Sequence, residues 1–288
     1  MITGLDHIAL AVTDLDAAVA GYTALLGREA NWIGGDGGAR HAWFQLGNMA
    51  LDVIAPGGDG PFGGVIARHI ETHGEGIWAM AFTVADAEAA HALVTRRGIG
   101  AVKPHSTRST HDDGRKRYWT NFALDVADTG GLNILLVGPA RDGSTWPLSA
   151  PVGDEAAATP LLDHVVVHTA NPERAVAVYG GRLGLDLRLD RSNPDWGARQ
   201  LFFRAGSAVV EMGASLKTPV SDAPDRFGGL AWRVTDADAA RARIAAAGFD
   251  VSEVRAGRKP GTKVFTVRSG VAAAPALMIQ QNAETADR

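Results

Sequence analysis

Two histidines occupy the same position in two copies of one sequence motif. His7 lies within LDHIALAV at residues 5–12, and His164 lies within LDHVVVH at residues 162–168, an offset of 157 residues. The register continues, because a tyrosine follows each histidine by fifteen residues and a glycine by twenty. An internal duplication constrains architecture more firmly than a local pattern does. A histidine repeated inside an apolar strand suggests metal binding; a buried histidine satisfied by polar neighbours is the alternative.

Each copy also carries one carboxylate inside an apolar segment. Asp52 lies in ALDVIAP at residues 50–56, and Glu211 lies in AVVEMG at residues 208–213. Burying a carboxylate is costly unless it is paired or bound to a metal ion. Asp52 and Glu211 are therefore candidates for metal ligands and for the general base of a reaction.

The composition argues against several classes of protein. The chain has 288 residues, 46% of them hydrophobic and 21% charged, with a net charge of -4. Such a protein has no general attraction for nucleic acids or anionic membranes. Because the chain contains no cysteine, disulfides and thiolate chemistry are excluded, and a metal ion would need His and carboxylate ligands. The start of the chain does not resemble a leader peptide, and no apolar run approaches the ~20 residues that span a bilayer. We expect a cytoplasmic protein that acts on a small molecule. A homodimer is one of the oligomeric states left open.

The pattern inside each copy repeats once more. Asp86 and Gly98 are followed 150 residues later by Asp236 and Gly248, in similar surroundings. Each of the four resulting units reads as an apolar strand, an Asp or Asn cap, an Ala-rich helix, a terminal glycine and short strands. We place the four units near residues 3–56, 76–138, 161–213 and 228–281. Their helices are predicted to end at Gly27, Gly98, Gly184 and Gly248.

The segments between the units are rich in Gly, Pro, Ser and Asp, which is typical of linkers. These predicted linkers span residues 57–75, 139–160 and 214–227. The sequence therefore predicts an N-terminal domain at 1–138 with two units, a linker at 139–160 and a C-terminal domain at 161–288 with the other two.

These features resemble the vicinal oxygen chelate superfamily, which includes glyoxalase I, methylmalonyl-CoA epimerase, extradiol dioxygenases and bleomycin- or fosfomycin-resistance proteins. The resemblance rests on LDHIALAVTDLDAAVAGYTALLG, LDHVVVHTANPERAVAVYGGRLG and GEGIWAMAF, the last being similar to the epimerase-type segment GEGIHHIAF. It covers nearly the whole chain. It implies an α+β fold of four βαβββ modules in two paired-module, cup-shaped mixed sheets, but it specifies the reaction only weakly, since this fold hosts many chemistries.

The resemblance also implies a divalent metal ion at the floor of a cup, held by the first and last strands of the units. The residues at those positions in units one and three are His7, Asp52, His164 and Glu211. Asp52 is one methylene shorter than the family's glutamate. Units two and four depart from the pattern, with Ala79, Leu135, Gly229 and about Met278 at the corresponding positions.

The pairing of the units decides how these ligands are used. If units one and three pair, within a chain or between subunits, two histidines and two carboxylates converge, as the resemblance to glyoxalase I implies for nickel or zinc. If neighbouring units pair, each cup has one His and one carboxylate, which is a poor metal site. A third possibility is a ligand set that the motifs do not reveal.

Other side chains are candidates for binding a substrate. His41, Trp43 and Gln45 alternate along a predicted strand and therefore share one face; Gln200, Phe202 and Arg204 are their counterparts in unit three. An exposed sheet face is the alternative. Trp78 lies beside the departing position Ala79. His168 follows His164 by four residues on the same predicted strand face.

The segment at residues 107–119 is strongly polar and predicts a long loop. It is either a solvated loop or a lid, in which Arg and Lys grip an anionic group while Tyr118 and Trp119 close over it. The glycine-rich segment 34–38 does not predict a phosphate loop, because it lacks the Lys-Ser/Thr ending and does not open a helix.

The leading hypothesis is a metal-dependent lyase or isomerase acting on a small oxygenated substrate. A divalent ion (Zn, Ni, Co, Mn or Fe) would chelate neighbouring oxygens and lower the cost of an enolate-like intermediate, with Glu211 or Asp52 as general base. One alternative is a metal-free binding or resistance-type protein, favoured by Trp43, Trp78 and Trp119. An extradiol-type dioxygenase needs a His, His, Glu triad, at family positions where Gly229 and Met278 stand.

Overall fold

The first half of the chain forms a closed eight-stranded barrel. Its elements are β1 (Ile2–Ala11), α1 (Leu15–Leu26), β2 (Trp32–Asp36), β3 (Ala39–Gln45), β4 (Ala50–Pro56), α2 (Pro61–His73), β5 (Gly76–Val84), α3 (Ala87–Arg96), β6 (His105–His111), β7 (Lys116–Ala123) and β8 (Asn133–Ala140). The strand order is β1-β4-β3-β2-β6-β7-β8-β5. Antiparallel pairing joins unit one to unit two twice, through β1 with β5 and through β2 with β6.

The second half repeats the arrangement as a sheet that stays open over the residues that the structure describes. Its elements are β9 (Leu161–His168), α4 (Pro172–Ala175) continued by a π-helical segment (Val176–Arg182), β10 (Asp186–Asn193), β11 (Ala198–Ala205), β12 (Ala208–Ser215), β13 (Arg226–Val234), α5 (Ala237–Ala246), β14 (Asp250–Val251), β15 (Arg255–Ala256), β16 (Thr262–Ser269) and β17 (Ala276–Gln281). The order is β10-β11-β12-β9-β13-β17-β16-β14, with β15 beside β16. This computed structural model describes residues 1–269 and 274–281, so part of the predicted C-terminal domain lies outside the described residues.

The predicted βαβββ units and helix ends are confirmed. Asp14 caps α1 by accepting a hydrogen bond from the Ala17 amide, and Asp86 and Asp236 cap α3 and α5 in the same way. The four predicted terminal glycines all have a positive φ: Gly27 at 64°, Gly98 at 77°, Gly184 at 76° and Gly248 at 90°. Glycine adopts this left-handed conformation without a steric cost, which is why it terminates helices.

Two predictions about irregular segments are wrong. The predicted linker at 57–75 contains α2, which begins at Pro61 and buries Ile66 completely against the barrel strands. The predicted loop at 107–119 is the hairpin of β6 and β7, with its turn between His111 and Lys116. Neither segment is a free loop, and the lid role of Tyr118 and Trp119 stays a prediction.

Each strand divides its side chains between two environments. In β1 the side chains of Ile8 and Leu10 join the large core under the helices, whereas Ala9 and Ala11 face the barrel interior with Ile66. The alternation follows from the two-residue period of a strand. In β9 the same alternation places Val165 and Val167 under the helices and leaves His164 on the concave face.

Two arginines, one buried and one half-buried, attach the connecting segment and the second half to the first. Arg28, only 6% exposed, donates hydrogen bonds to the carbonyl oxygens of Thr159 (2.7 Å) and Ser149 (2.9 Å) and pairs with Glu155. Arg243 of α5 donates to the Leu25 carbonyl at the end of α1 (2.9 Å). Residues 139–160 are therefore a fixed connection rather than a flexible tether.

We expect Arg28→Ala to lower the free energy of unfolding by about 2–3 kcal/mol, because it leaves buried carbonyl oxygens without a donor. Urea unfolding at constant m-value measures the change. The control is Arg188→Ala. Arg188 and Asp186 form a surface ion pair with side chains 58% and 60% exposed. Loss of this ion pair should change the free energy of unfolding by about 0.5 kcal/mol or less. Equal effects of the two substitutions would show that the connection is not needed for stability.

Candidate functional site

The two motif histidines lie beside β-bulges in the strands that join neighbouring units. In the pairing of β1 with β5 the register shifts between Leu5 and His7. In the pairing of β9 with β13 it shifts between the partners of Leu162 and His164. A bulge leaves one residue unpaired and redirects its side chain. The unpaired residue in each half is an aspartate, Asp6 or Asp163. Its side chain contacts the neighbouring histidine instead of pointing to the opposite face of the sheet.

Each bulged aspartate holds its histidine by Nδ1. Asp6 Oδ1 lies 2.7 Å from His7 Nδ1, and Asp163 Oδ1 lies 2.9 Å from His164 Nδ1. Arg233 secures Asp163 with hydrogen bonds of 2.7 and 3.2 Å. A carboxylate on one ring nitrogen orients the other nitrogen toward a ligand, as behind many metal-binding histidines. Sequence reasoning missed both aspartates, although each stands next to its histidine in the repeated LDH motif.

Asp163 is held in its charged form beside His164. Burial favours the neutral acid, but the hydrogen bonds from His164 and Arg233 outweigh it and lower the pKa of Asp163 from 3.8 to about 2. Asp163 is therefore ionised at neutral pH and occupies the Nδ1 side of the His164 ring. The Nε2 of His164 is the ring nitrogen left to face other groups.

The Nε2 atom of His164 faces the predicted base. His164 Nε2 lies 3.3 Å from Glu211 Oε2, and the side chains are 14% and 17% exposed. Gln200 donates to the other Glu211 oxygen at 2.7 Å and in turn accepts from Arg191 at 2.8 Å. Two electron-pair donors at 3.3 Å repel each other unless a cation, either a proton or a metal ion, lies between them.

The structure settles how the units pair within one chain. His7 and Asp52 belong to the barrel of units one and two, whereas His164 and Glu211 belong to the sheet of units three and four. The four candidate ligands therefore do not converge in a single chain. Among residues 1–269 and 274–281, no group of three or more His, Asp or Glu side chains is arranged to hold a metal ion.

Inside the first barrel, the candidate side chains are connected to one another by polar contacts. His41 Nδ1 accepts a hydrogen bond from Trp43 (3.2 Å) and lies 3.4 Å from Asp52. His41 Nε2 lies 2.5 Å from Ser109 Oγ, which also accepts from Trp32 at 2.8 Å. His41, Asp52 and Ser109 are all at least nine-tenths buried, and Asp52 Oδ1 has no hydrogen-bond partner. Ser109 had no signal in the sequence, because it lay in the segment predicted as a loop.

Tryptophans fill the mouth of this barrel. Trp146, from the segment between the halves, stacks on Trp43 with centroids 5.4 Å apart, and Trp43 contacts the His7 ring at 4.9 Å. A cavity of about 360 Å³ remains beside them, lined in part by Trp43, Gln45, Trp119 and Arg117. At the other end α2 closes the interior with Ile66. His7, 5% exposed, is therefore enclosed.

The remaining predicted substrate-binding residues are dispersed. His41, Trp43 and Gln45 share the inner face of β3 as predicted, since they pair with Ile54, Asp52 and Ala50. Phe202 pairs with Glu211, and Arg204 is exposed at the strand end. Trp119 lines the small cavity, while its neighbour Tyr118 is exposed on the opposite face. The substrate-binding roles of these residues stay predictions.

A larger cleft of about 1200 Å³ lies between the two halves. Trp78, His69 and His73 line it from the first half, and Phe227 and His168 line it from the second. His168 faces the same side of β9 as His164. Its ring occupies the space that a side chain at position 228 would need, since a Cβ on Gly228 would lie 2.5 Å from His168 Nε2. The cleft therefore reaches the end of β9 at His168, but neither His164 nor Glu211 lines it.

The departing positions of units two and four carry no ligand. Ala79 and Leu135 pack in the barrel interior. The estimated position Met278 is wrong: Met278 is fully buried under the helices, and Leu277 is the β17 residue in register with Ala231 and, through it, His164. At Gly229, with φ at 147°, an added Cβ would lie 2.6 Å from the Pro275 carbonyl oxygen. A histidine there would require the backbone to move.

Comparison with known proteins agrees with this architecture. The family model of the Glyoxalase/Bleomycin resistance protein/Dioxygenase superfamily matches residues 6–118 and 163–266. These segments cover more than half of the chain, so the protein belongs to this superfamily.

Solved structures of low sequence identity share the fold. A triple mutant of 4-hydroxymandelate synthase from Streptomyces coelicolor matches with a TM-score of 0.71 and 17% identity, over 98% of this chain and 94% of that one. The Mn(II)-bound glyoxalase from Novosphingobium aromaticivorans matches with a TM-score of 0.63 and 15% identity, over 97% of this chain and 82% of that one.

In the described part of the chain, no helix is both long and apolar enough to cross a membrane.

We expect Asp163→Asn to destabilise the protein at neutral pH by about 2 kcal/mol, with a defined pH dependence. The pKa of Asp163 is lowered in the fold to about 2, so its ionised form stabilises the fold above its usual value of 3.8, and this contribution is lost as the pH falls through about 2. Urea unfolding between about pH 6 and pH 2 should show the difference between wild type and variant shrinking below about pH 4. The control Asp186→Asn removes an exposed pair and should have little effect. A difference that stays constant with pH would contradict the assigned ionisation.

Proposed function

We propose that the protein is a metal-dependent enzyme of the lyase or isomerase type that acts on a small oxygenated molecule in the second cup. The observation that supports it is the His164–Glu211 pair, whose Nε2 and Oε2 face each other at 3.3 Å on an open concave surface. The first barrel is a poorer candidate, because α2 and the tryptophans enclose its histidine.

The chemistry of the donors fits a divalent transition ion. An imidazole nitrogen with a free lone pair and a carboxylate are typical ligands of Zn, Ni, Co, Mn and Fe. Two protein ligands would leave positions for water and for two neighbouring substrate oxygens, so the ion would be held more firmly with substrate than without it. A bound ion would polarise those oxygens and lower the cost of removing a proton from the adjacent carbon.

The protein's own groups divide the remaining work. Gln200 holds Glu211 Oε1, so Oε2 would alternate between holding the ion and moving a substrate proton from one position to another. Asp163 keeps the His164 ring in one orientation. Phe202, opposite Glu211 in the sheet, supplies an apolar wall that would exclude water from the proton transfer.

A metal-free small-molecule binding protein is the second candidate. It is favoured by the two-residue ligand set and by the large cleft with Trp78 and Phe227 on its walls. A dioxygenase is not favoured, since Gly229 and the β17 residue Leu277 offer no ligand atoms where that reaction needs them.

We expect purified protein to carry about one divalent ion or less per chain, and Glu211→Ala and His164→Ala to lose it. The reason is that each substitution removes one of two protein ligands. Elemental analysis and thermal shift with Ni, Co, Mn, Fe and Zn chlorides measure binding, since an ion at 100 times its Kd stabilises by about 2.7 kcal/mol. Glu253→Ala, which removes an exposed carboxylate paired with Arg241, is the matched control.

Activity is tested by deuterium exchange at carbons next to the carbonyl in a panel of small carbonyl compounds, followed by NMR. Glu211→Ala should slow any exchange by about 10²-fold or more. Protein that binds these compounds but no metal, and exchanges no deuterium, would support the binding protein instead. Metal loss in Asp52→Ala as well would indicate a site shared between subunits.

A further inference from the structure

Helix α2 presents two histidines one turn apart at its C-terminal end. His69 and His73 occupy positions i and i+4, which lie on one face of a helix. Their rings are stacked with centroids 4.8 Å apart and an interplanar angle of 20°. Both rings line the cleft of about 1200 Å³ between the halves. Nothing in the His164–Glu211 site uses them.

We propose that His69 and His73 form a separate site for a divalent transition ion, such as Ni²⁺, Cu²⁺ or Zn²⁺, at the rim of this cleft. Two imidazoles that project together from consecutive turns of one helix can ligate a single ion once the rings rotate out of their stacked arrangement, as in helical zinc motifs with histidines at i and i+4. Imidazole nitrogen suits these three ions.

The local electrostatics support a cation at this place. The carbonyl end of a helix carries a partial negative charge, which stabilises a positive ion. The His69 and His73 rings lie 4.8 Å apart at this end, so both can reach an ion that the helix terminus attracts.

The site differs in kind from a closed structural metal centre. Since no group of three His, Asp or Glu side chains is arranged around an ion in the described residues, water or a ligand in the cleft would complete the coordination. The open positions face a space bordered by Trp78, Phe227 and His168. An ion bound here would therefore provide a Lewis acid in the cleft, and its binding would not involve Glu211.

The test is calorimetric titration of NiCl₂ into untagged, metal-stripped full-length protein that carries Glu211→Ala, so that the site of the proposed function is silenced. We expect one ion to bind per chain. Adding His69→Ala or His73→Ala should weaken binding by about ten-fold or more. Adding His105→Ala is the matched control, because His105 is an exposed strand histidine whose Nδ1 lies 3.3 Å from the Lys103 carbonyl oxygen, and it should leave binding unchanged.

Titration with CuCl₂ gives a second readout. Electron paramagnetic resonance should show two coordinated nitrogens in the Glu211→Ala protein and one in each His variant. Absence of ion binding to the Glu211→Ala protein, or binding unchanged in both His variants, would overturn this inference. The proposed function fails separately, if Glu211→Ala and His164→Ala both keep the metal found in wild type when His69 and His73 are also replaced by Ala.

Discussion

The antiparallel seam between the first strands of neighbouring units governs both the fold and the site. Pairing of β1 with β5 and of β9 with β13 assigns unit one to unit two and unit three to unit four. That assignment separates His7 from His164 and rules out a four-ligand site within a chain. The same seams contain the bulges that turn Asp6 and Asp163 toward their histidines. Each bulge thus leaves one residue without a partner in the strand pairing, and that residue orients an imidazole. Bulges are commonly used in this way beside functional sites.

The two halves share this seam but differ in closure, and the difference has identifiable causes. In the first half β2 pairs with β6 at Gly34 and Gly35, where a side chain on Gly34 would collide with the Thr110 carbonyl. Glycine therefore permits the approach that closes the barrel. In the second half β14 and β15 have two residues each and, among the described residues, pair with β16 alone. Its concave face consequently stays accessible, and His164 and Glu211 keep partial exposure while His7 and Asp52 are enclosed.

The features that repeat along the sequence could be predicted, whereas the features that depend on contacts with one particular neighbouring segment were missed. The units, caps and terminal glycines follow from periodicity and could be predicted. Helix α2 was missed because its glycines read as a linker; Gly63 is in fact required, since a Cβ there would collide with the Gly38 carbonyl. The hairpin of β6 and β7 was read as a loop because its outer face is charged. Those charges are paired across the barrel surface, Arg40 with Asp112 at 2.6 Å and Arg108 with Asp36 at 2.5 Å. The sequence alone contains no record of which carboxylate meets which arginine.

The enclosed Asp6–His7 pair limits what the repeated motif can mean. In the first half the motif is intact, yet Trp43 packs on the histidine and Trp146 covers the mouth. The Asp–His pair therefore satisfies a buried polar side chain there, which by itself explains its place in the fold. In the second half the same pair leaves Nε2 directed at Glu211, with no aromatic ring stacked against it among the described residues. Access and the facing carboxylate, rather than the motif itself, therefore distinguish His164 from His7.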